Sequence, residues 1–246
     1  DEAEIDDLWQ RDLARARGFE SGGQPIAAFR LYSAMADDYT GLRDVAEAGK
    51  KAAEIGASPP YQAAVKARDL RRKEDQRTLD EAGRTLAAIT PNNGPWRLGQ
   101  VAGDLHLADL AARAAPAAKD QGESEDAKAA RRLQNALFVQ TSFYLPESAI
   151  GKKQYALAAF FVEIARAIRP KEPGVWYTLA SVHARGGQKK QAIEELRKAT
   201  ELGWSDPEEM ANDPDLASLH GEPAWGEIVE GAKKKAADEA EKGKTP

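Results

Sequence analysis

The chain has no cysteine, so disulfides, thiolate zinc sites and cysteine nucleophiles are excluded, and the compartment is left open. No apolar run approaches the about 20 residues that a membrane span needs. An excess of positive charge is missing too: the formal net charge of the 246 residues is −5, which argues against general nucleic-acid binding. Only three histidines occur, His106, His183 and His220, and they lie far apart, with no metal-ligand spacing among them. There is no G-x-S-x-G elbow, no phosphate-binding glycine loop and no H-E-x-x-H. The glycines of GFESGG (18–23) follow a helical pattern rather than a strand, so they lack the setting of a phosphate loop. What is present is 42% hydrophobic and 30% charged residues, enough for one elongated domain or two small ones and best suited to a helical array.

The most regular stretch runs from Val175 to Leu202. Trp176, Leu179, Val182 and His183, then Ala192, Ile193, Leu196, Ala199 and Leu202, fall at helical spacing on two segments separated by Gly186 and Gly187. A helix, a tight turn and a second helix are expected, with Ala180, Ala192 and Ala199 small enough for close backbone approach. His183 stands on the apolar stripe, where a packing role is expected of it rather than ligation. Trp176, Leu179, Ala180 and His183, followed by Ala192, Leu196 and Ala199, resemble the tetratricopeptide repeat (TPR) pattern W-x2-L-G-x2-Y and A-x3-F-x2-A. Alanine replaces the small glycine, histidine the tyrosine, and Trp204 the closing proline. The resemblance implies an all-α fold of antiparallel helix pairs stacked as a right-handed TPR-like α-superhelix, with irregular long helices in the middle.

Other stretches are read as partial copies. Ile5 to Tyr39 carries Leu8, Trp9, Leu13 and Ala16, then Gly22-Gly23-Gln24, then Ile26, Ala28, Phe29, Tyr32 and Met35, with Pro25 at a first helical turn. The spacing from Gly23 to Ala28 equals that from Gly187 to Ala192. A third helix is expected from Leu42 to Ile55, and a long one from Tyr61 to Ile89. Pro91-Asn92-Asn93-Gly94-Pro95 is the densest breaker cluster, a hinge or tight corner that closes an N-terminal region 1–90. Region 91–126 reads as one amphipathic helix that starts at Trp96 and runs out at Ala115-Pro116, followed by a mobile polar loop. Region 127–232 reads as TPR-like: an apolar segment ending before Pro146, then a helix from Gln154 to Ile168. Its Ala158, Val162, Ala165 and Pro170 share the spacing of a second repeat helix, after a PESAIGKK connection longer than a standard turn. Asp206-Pro207, Asp213-Pro214 and Glu222-Pro223 mark short capping helices, and 233–246 reads as a frayed tail.

Two charged stretches carry competing readings. KARDLRRKEDQRT (66–78) sets six basic residues among three acidic ones, either a solvated helix face laced with ion pairs or a nucleic-acid or anionic-lipid patch, with Arg68, Arg71, Arg72 and Lys73 the residues that would bind nucleic acid. No aromatic interleaves it, which leaves base stacking nothing to work with. The acidic run Glu123, Glu125, Asp126 reads either as a cation site or as an ordinary solvated loop preceding a helix N-terminus, where acidic residues are favoured.

No residue qualifies as catalytic, cofactor-binding or metal-ligating, so binding of a protein or peptide is the function left. The TPR resemblance implies a concave face lined by Tyr177, Ser181 and Arg185 at four-residue spacing. Tyr177 offers a stacking face and a hydroxyl, Ser181 a hydroxyl for a peptide backbone, Arg185 a fork for a carboxylate. These positions are equally open to being plainly exposed, or covered by a neighbouring helix.

The segments DLWQRDLARAR, FRLYSAMADDYTGLRDVAEA, FVQTSFYLPESAI and SDPEEMANDPDLASLHGEPAW, together with the regular stretch, also resemble the helical C-terminal region of certain bacterial proteins. In those proteins the N-terminal part is an α/β-hydrolase of predicted esterase or depolymerase type. That resemblance implies a catalytic triad upstream of Asp1, a periplasmic or secreted location, and an accessory role in which this region orients the hydrolase, pairs it with another protein or helps select its substrate.

Overall fold

The computed structural model describes residues 2–115 and 124–242, the last four by backbone alone. Apart from an isolated bridge between Thr40 and Arg43, every regular element among them is helical, so the fold is all-α. The polar loop expected around 117–123, with Glu123, lies outside the described residues.

The chain divides into two units, Asp1–Arg77 and Thr78–Pro246. The division falls inside a long charged helix and not at the Pro91 cluster. The first unit contains α1 (Glu2–Ser21), α2 (Pro25–Asp38), α3 (Ala46–Ala57) and the start of α4 (Pro59–Ala87). Its core is Trp9, Ala16, Ala28, Tyr32, Met35, Ala48, Ala52 and Ile55. α3 begins later than its apolar residues suggest: Val45 is its N-cap residue, and the Asp44 carboxylate before it accepts the Ala46 N–H at 2.9 Å in an Asx turn that leads into the helix. In α4 the basic run is a charged helical face, with Arg68 paired to Asp69 at 3.2 Å.

In the second unit the Pro91–Pro95 stretch forms a tied corner. Asn93 Oδ1 accepts the Thr90 N–H and the Trp96 indole N–H, both at 2.9 Å. The single helix expected from Trp96 to Ala115 is two short ones, α5 (Leu98–Asp104) and α6 (Leu107–Arg113), broken at His106, which takes a left-handed φ of 52°. Leu105 and Leu107 are both buried, and a continuous helix would turn residues two apart onto different faces.

After Ser124, which caps the next helix by accepting the Ala127 N–H at 3.1 Å, comes α7 (Glu125–Val139). The helical path does not stop before Pro146. A π-helical turn, Gln140–Tyr144, leads into α8 (Leu145–Gly151). Proline lacks an N–H and its ring crowds the carbonyl four residues back, and the wider π turn opens that spacing so that Pro146 sits buried inside the rod. Then follow α9 (Tyr155–Ile168), α10 (Pro173–Arg185), α11 (Lys189–Leu202), α12 (Pro207–Asn212), a 3-10 segment (Pro214–Leu219) and α13 (Trp225–Lys242). Asp206 and Asp213 cap α12 and the 3-10 segment, accepting the Glu209 and Asp215 N–H groups at 2.8 Å each. α13 carries on through residues that the composition had assigned to a tail, anchored by Ile228 and Ala232 against the α10–α11 core.

One helical turn motif recurs three times. Gly23, Lys153 and Gly187 take left-handed φ values of 67°, 58° and 78°. In each case the following glutamine, Gln24, Gln154 or Gln188, donates its N–H to the carbonyl five residues earlier at 2.8–2.9 Å, the pattern that closes a helix end before a new helix begins. The connection between α8 and α9 is therefore the same short turn, not a longer one. Counted from it, the buried small residue of the first helix is Ala16, Pro146 or Ala180. The second helix buries Ala28, Tyr32 and Met35, or Ala158, Val162 and Ala165, or Ala192, Leu196 and Ala199, all 1% exposed or less. Lys153 and Gly187 stand 34 positions apart.

Candidate functional site

Because α8 and α10 begin their units in the same register, their outward stripes run side by side. Phe143 lies 34 positions before Tyr177, and Glu147 lies 34 before Ser181. All four line one open groove of about 570 Å³, whose walls come from the π turn and α8, from α10, and from α12 with the 3-10 segment. A volume of that size holds a few side chains of a bound segment.

The two stripes differ in cover. Tyr177 is only 6% exposed. Its ring stacks on Trp204 at 4.1 Å with an interplanar angle of 14°, and its hydroxyl donates to Asp213 Oδ2 at 2.8 Å. Burial first, then the bond to Asp213 and the nearby charges of Asp213, Glu209 and Asp206, push the Tyr177 phenol far above its ordinary value, so it stays a neutral donor. Ser181 Oγ turns back to the Tyr177 carbonyl at 3.3 Å. Among the described residues Arg185 does not line the groove. It donates to Asp215 at 3.1 Å and lies over the Tyr155 ring at 5.6 Å from the centroid. Of the three residues expected on a concave face, two line the groove and the third is held by the chain's own Asp215.

Phe143, by contrast, is 57% exposed and Tyr144 equally so, their rings meeting edge to face at 5.2 Å. Large aromatic side chains held open beside a groove mark an interaction surface more often than a plain solvent face does. The groove also carries carboxylates from Glu147, Glu172, Glu209 and Asp215 against a single guanidinium, Arg169. That guanidinium stacks over Phe138 at 3.9 Å and donates to Asn135 at 2.5 Å. The Trp204 indole N–H, also at the groove, is buried and has no hydrogen-bond partner among the described residues.

Phe143, Glu147, Glu172, Trp204 and Glu209 were not picked out as site residues from the sequence. The signal that finds Phe143 and Glu147 is the 34-residue offset from Tyr177 and Ser181, which becomes countable only once Lys153 is recognised as a turn residue.

Away from the groove, the buried pair is His183 and Glu195, with Nδ1 2.7 and 2.9 Å from the two carboxylate oxygens. It sits between α10 and α11, where Glu195 supplies the partner of the buried His183. Desolvation raises the Glu195 pKa, opposed by His183. Neither residue lines the groove. Of the acidic run near the start of α7, Asp126 takes Arg113 at 2.7 Å, which holds its carboxyl below the ordinary range, and Glu125 takes Lys128 at 2.8 Å. Among the described residues no group of three or more histidines and carboxylates is placed to hold a metal ion. No described helix is long and apolar enough to cross a membrane.

Comparison with protein-family models, with curated proteins and with solved structures finds no match to this chain. Fold and site together define an all-α protein whose helix pairs α8–α9 and α10–α11 leave an open, aromatic-edged groove beside their first helices.

Proposed function

We propose that the chain is a noncatalytic, TPR-like interaction domain that docks a segment of a protein partner in the groove between α8 and α10. The observation that carries this reading is the exposed Phe143 at the groove's edge, in the register where the next unit buries Tyr177. Support for the family comes from the 34-residue spacing of the Lys153 and Gly187 turns, which is the TPR period, and from the small buried residues repeated about them. The resemblance to hydrolase-linked helical regions makes a hydrolase of the same polypeptide one source of the docked segment.

A photo-reactive phenylalanine analogue at position 143, with a second chain carrying it at the exposed Leu70 of α4 as control, tests the reading in the source cell. A discrete adduct at 143 that is absent at 70 is expected, and an adduct containing hydrolase sequence would identify the partner as that domain. Identical adduct patterns from both positions would contradict docking in the groove. Ester hydrolysis by the isolated chain above the buffer rate would contradict the noncatalytic assignment.

A further inference from the structure

Exposed aromatics say that something docks; the groove's charges say what kind of segment it is. Glu147 comes from α8, Glu172 from the position just before α10, and Glu209 from the first turn of α12. Three separate elements thus turn carboxylates toward one trough, and among the described residues none of these three side chains has an ion-pair or hydrogen-bond partner. The fourth, Asp215, is taken by Arg185, and the one cation of the lining, Arg169, is engaged on Phe138 and Asn135. Much of the chain's other surface charge is arranged differently, since Asp7, Asp109, Asp126 and Glu163 all face an arginine of the same chain. Carboxylates left without cations beside an open aromatic ring are complementary to a ligand that brings both the cations and the apolar group. The acidic surroundings also reach the groove wall, where Glu209 and Asp206 act on Tyr177 in the same direction as Asp213.

We propose that the groove selects a peptide segment in which lysine or arginine residues flank an apolar side chain, the apolar group resting on Phe143 and the cations meeting Glu147, Glu172 and Glu209. The inference rests on the docking reading above and narrows it to one chemical class.

The test uses the full chain and three sets of labelled synthetic peptides, each with a central leucine, phenylalanine, tryptophan or valine flanked by lysine, by glutamine or by glutamate, read by fluorescence anisotropy. The lysine set is expected to bind at least about tenfold tighter than the glutamate set, and its affinity should fall as salt rises. Glu147→Gln, Glu172→Gln and Glu209→Gln should each weaken the lysine set by about two- to fivefold and leave the glutamine set unchanged. Phe143→Ala should weaken the lysine and glutamine sets alike. If the glutamine or glutamate set binds tighter while Phe143→Ala still weakens it, the charge selection is overturned and docking in the groove stands. If no set binds, or binding is indifferent to Phe143→Ala, both are overturned.

Discussion

The helix pairs α8–α9 and α10–α11 are built on one turn and one set of buried positions, yet they treat the outward stripe of their first helix in opposite ways. In α10 the stripe is closed over: Tyr177 is stacked on Trp204 and bonded to Asp213, and Arg185 is paired with Asp215. In the preceding pair the equivalent of Tyr177 is Phe143, which faces solvent. The same register position is thus open surface in one unit and core in the next, and the segment after α11 covers the second. Residues chosen as ligand-binding from family position alone can be taken up by the chain's own cap, while their counterparts one unit earlier stay free.

This contrast can be broken experimentally, most severely at the shared core. Leu196 is fully buried in α11, and Leu196→Ala should lower unfolding free energy by about 3 kcal/mol, whereas Phe143→Ala should change it by no more than about 0.5 kcal/mol. Urea denaturation of both variants checks this, and comparable losses would mean that Phe143 is packed. Next, Tyr177→Phe removes a hydroxyl donated to a carboxylate inside the closed stripe and should cost about 2 kcal/mol. A neutral result would show that the cap does not hold α10.

A smaller effect separates the two turns. Lysine at a left-handed φ of 58° is strained where glycine at 78° is not, and a side chain at Gly187 would meet nothing within 4 Å, so only the backbone counts. Lys153→Gly should stabilise by about 1 kcal/mol and Gly187→Lys should destabilise by a similar amount. Thermal melts that shift in the same direction for both would refute the equivalence of the turns.

The smallest effect is the pH dependence of the α10–α11 pair. The Glu195 carboxyl has its folded pKa raised above the ordinary 4.5, chiefly by burial, so the native state binds its proton more readily than the unfolded chain does. Its stabilising contribution is present below that ordinary value and is lost as pH rises through the folded one. Relative to Glu195→Gln, the wild type should therefore lose stability as pH rises above about 4.5, in melts followed by circular dichroism. A difference that is flat or grows in the other direction would contradict this assignment.

How much of this was legible in the residues follows from where glycine and proline carry information. The α10–α11 unit could be read because Gly186 and Gly187 break two clean apolar stripes, and the Asp-Pro pairs announced caps at Asp206 and Asp213 that the structure bears out. The α8–α9 turn stayed hidden because Lys153 occupies the left-handed position, and because Pro146, which ends most helices, is absorbed by a π turn. His106 hid the α5–α6 break in the same way, a non-glycine residue at positive φ. At the groove, Tyr177 and Ser181 were reachable from the repeat pattern. Glu172 and Glu209 were not, since their placement comes from how α10 and α12 meet in space and not from any spacing along the chain.

The most direct measurement is a two-dimensional amide NMR titration of the full chain with the tightest-binding lysine-flanked peptide. The account predicts chemical-shift changes concentrated at residues 142–147, 172–181 and 204–215, with the amides of α1 to α3 unmoved. Changes centred on the first unit, or on α13, with the groove amides silent, would contradict it.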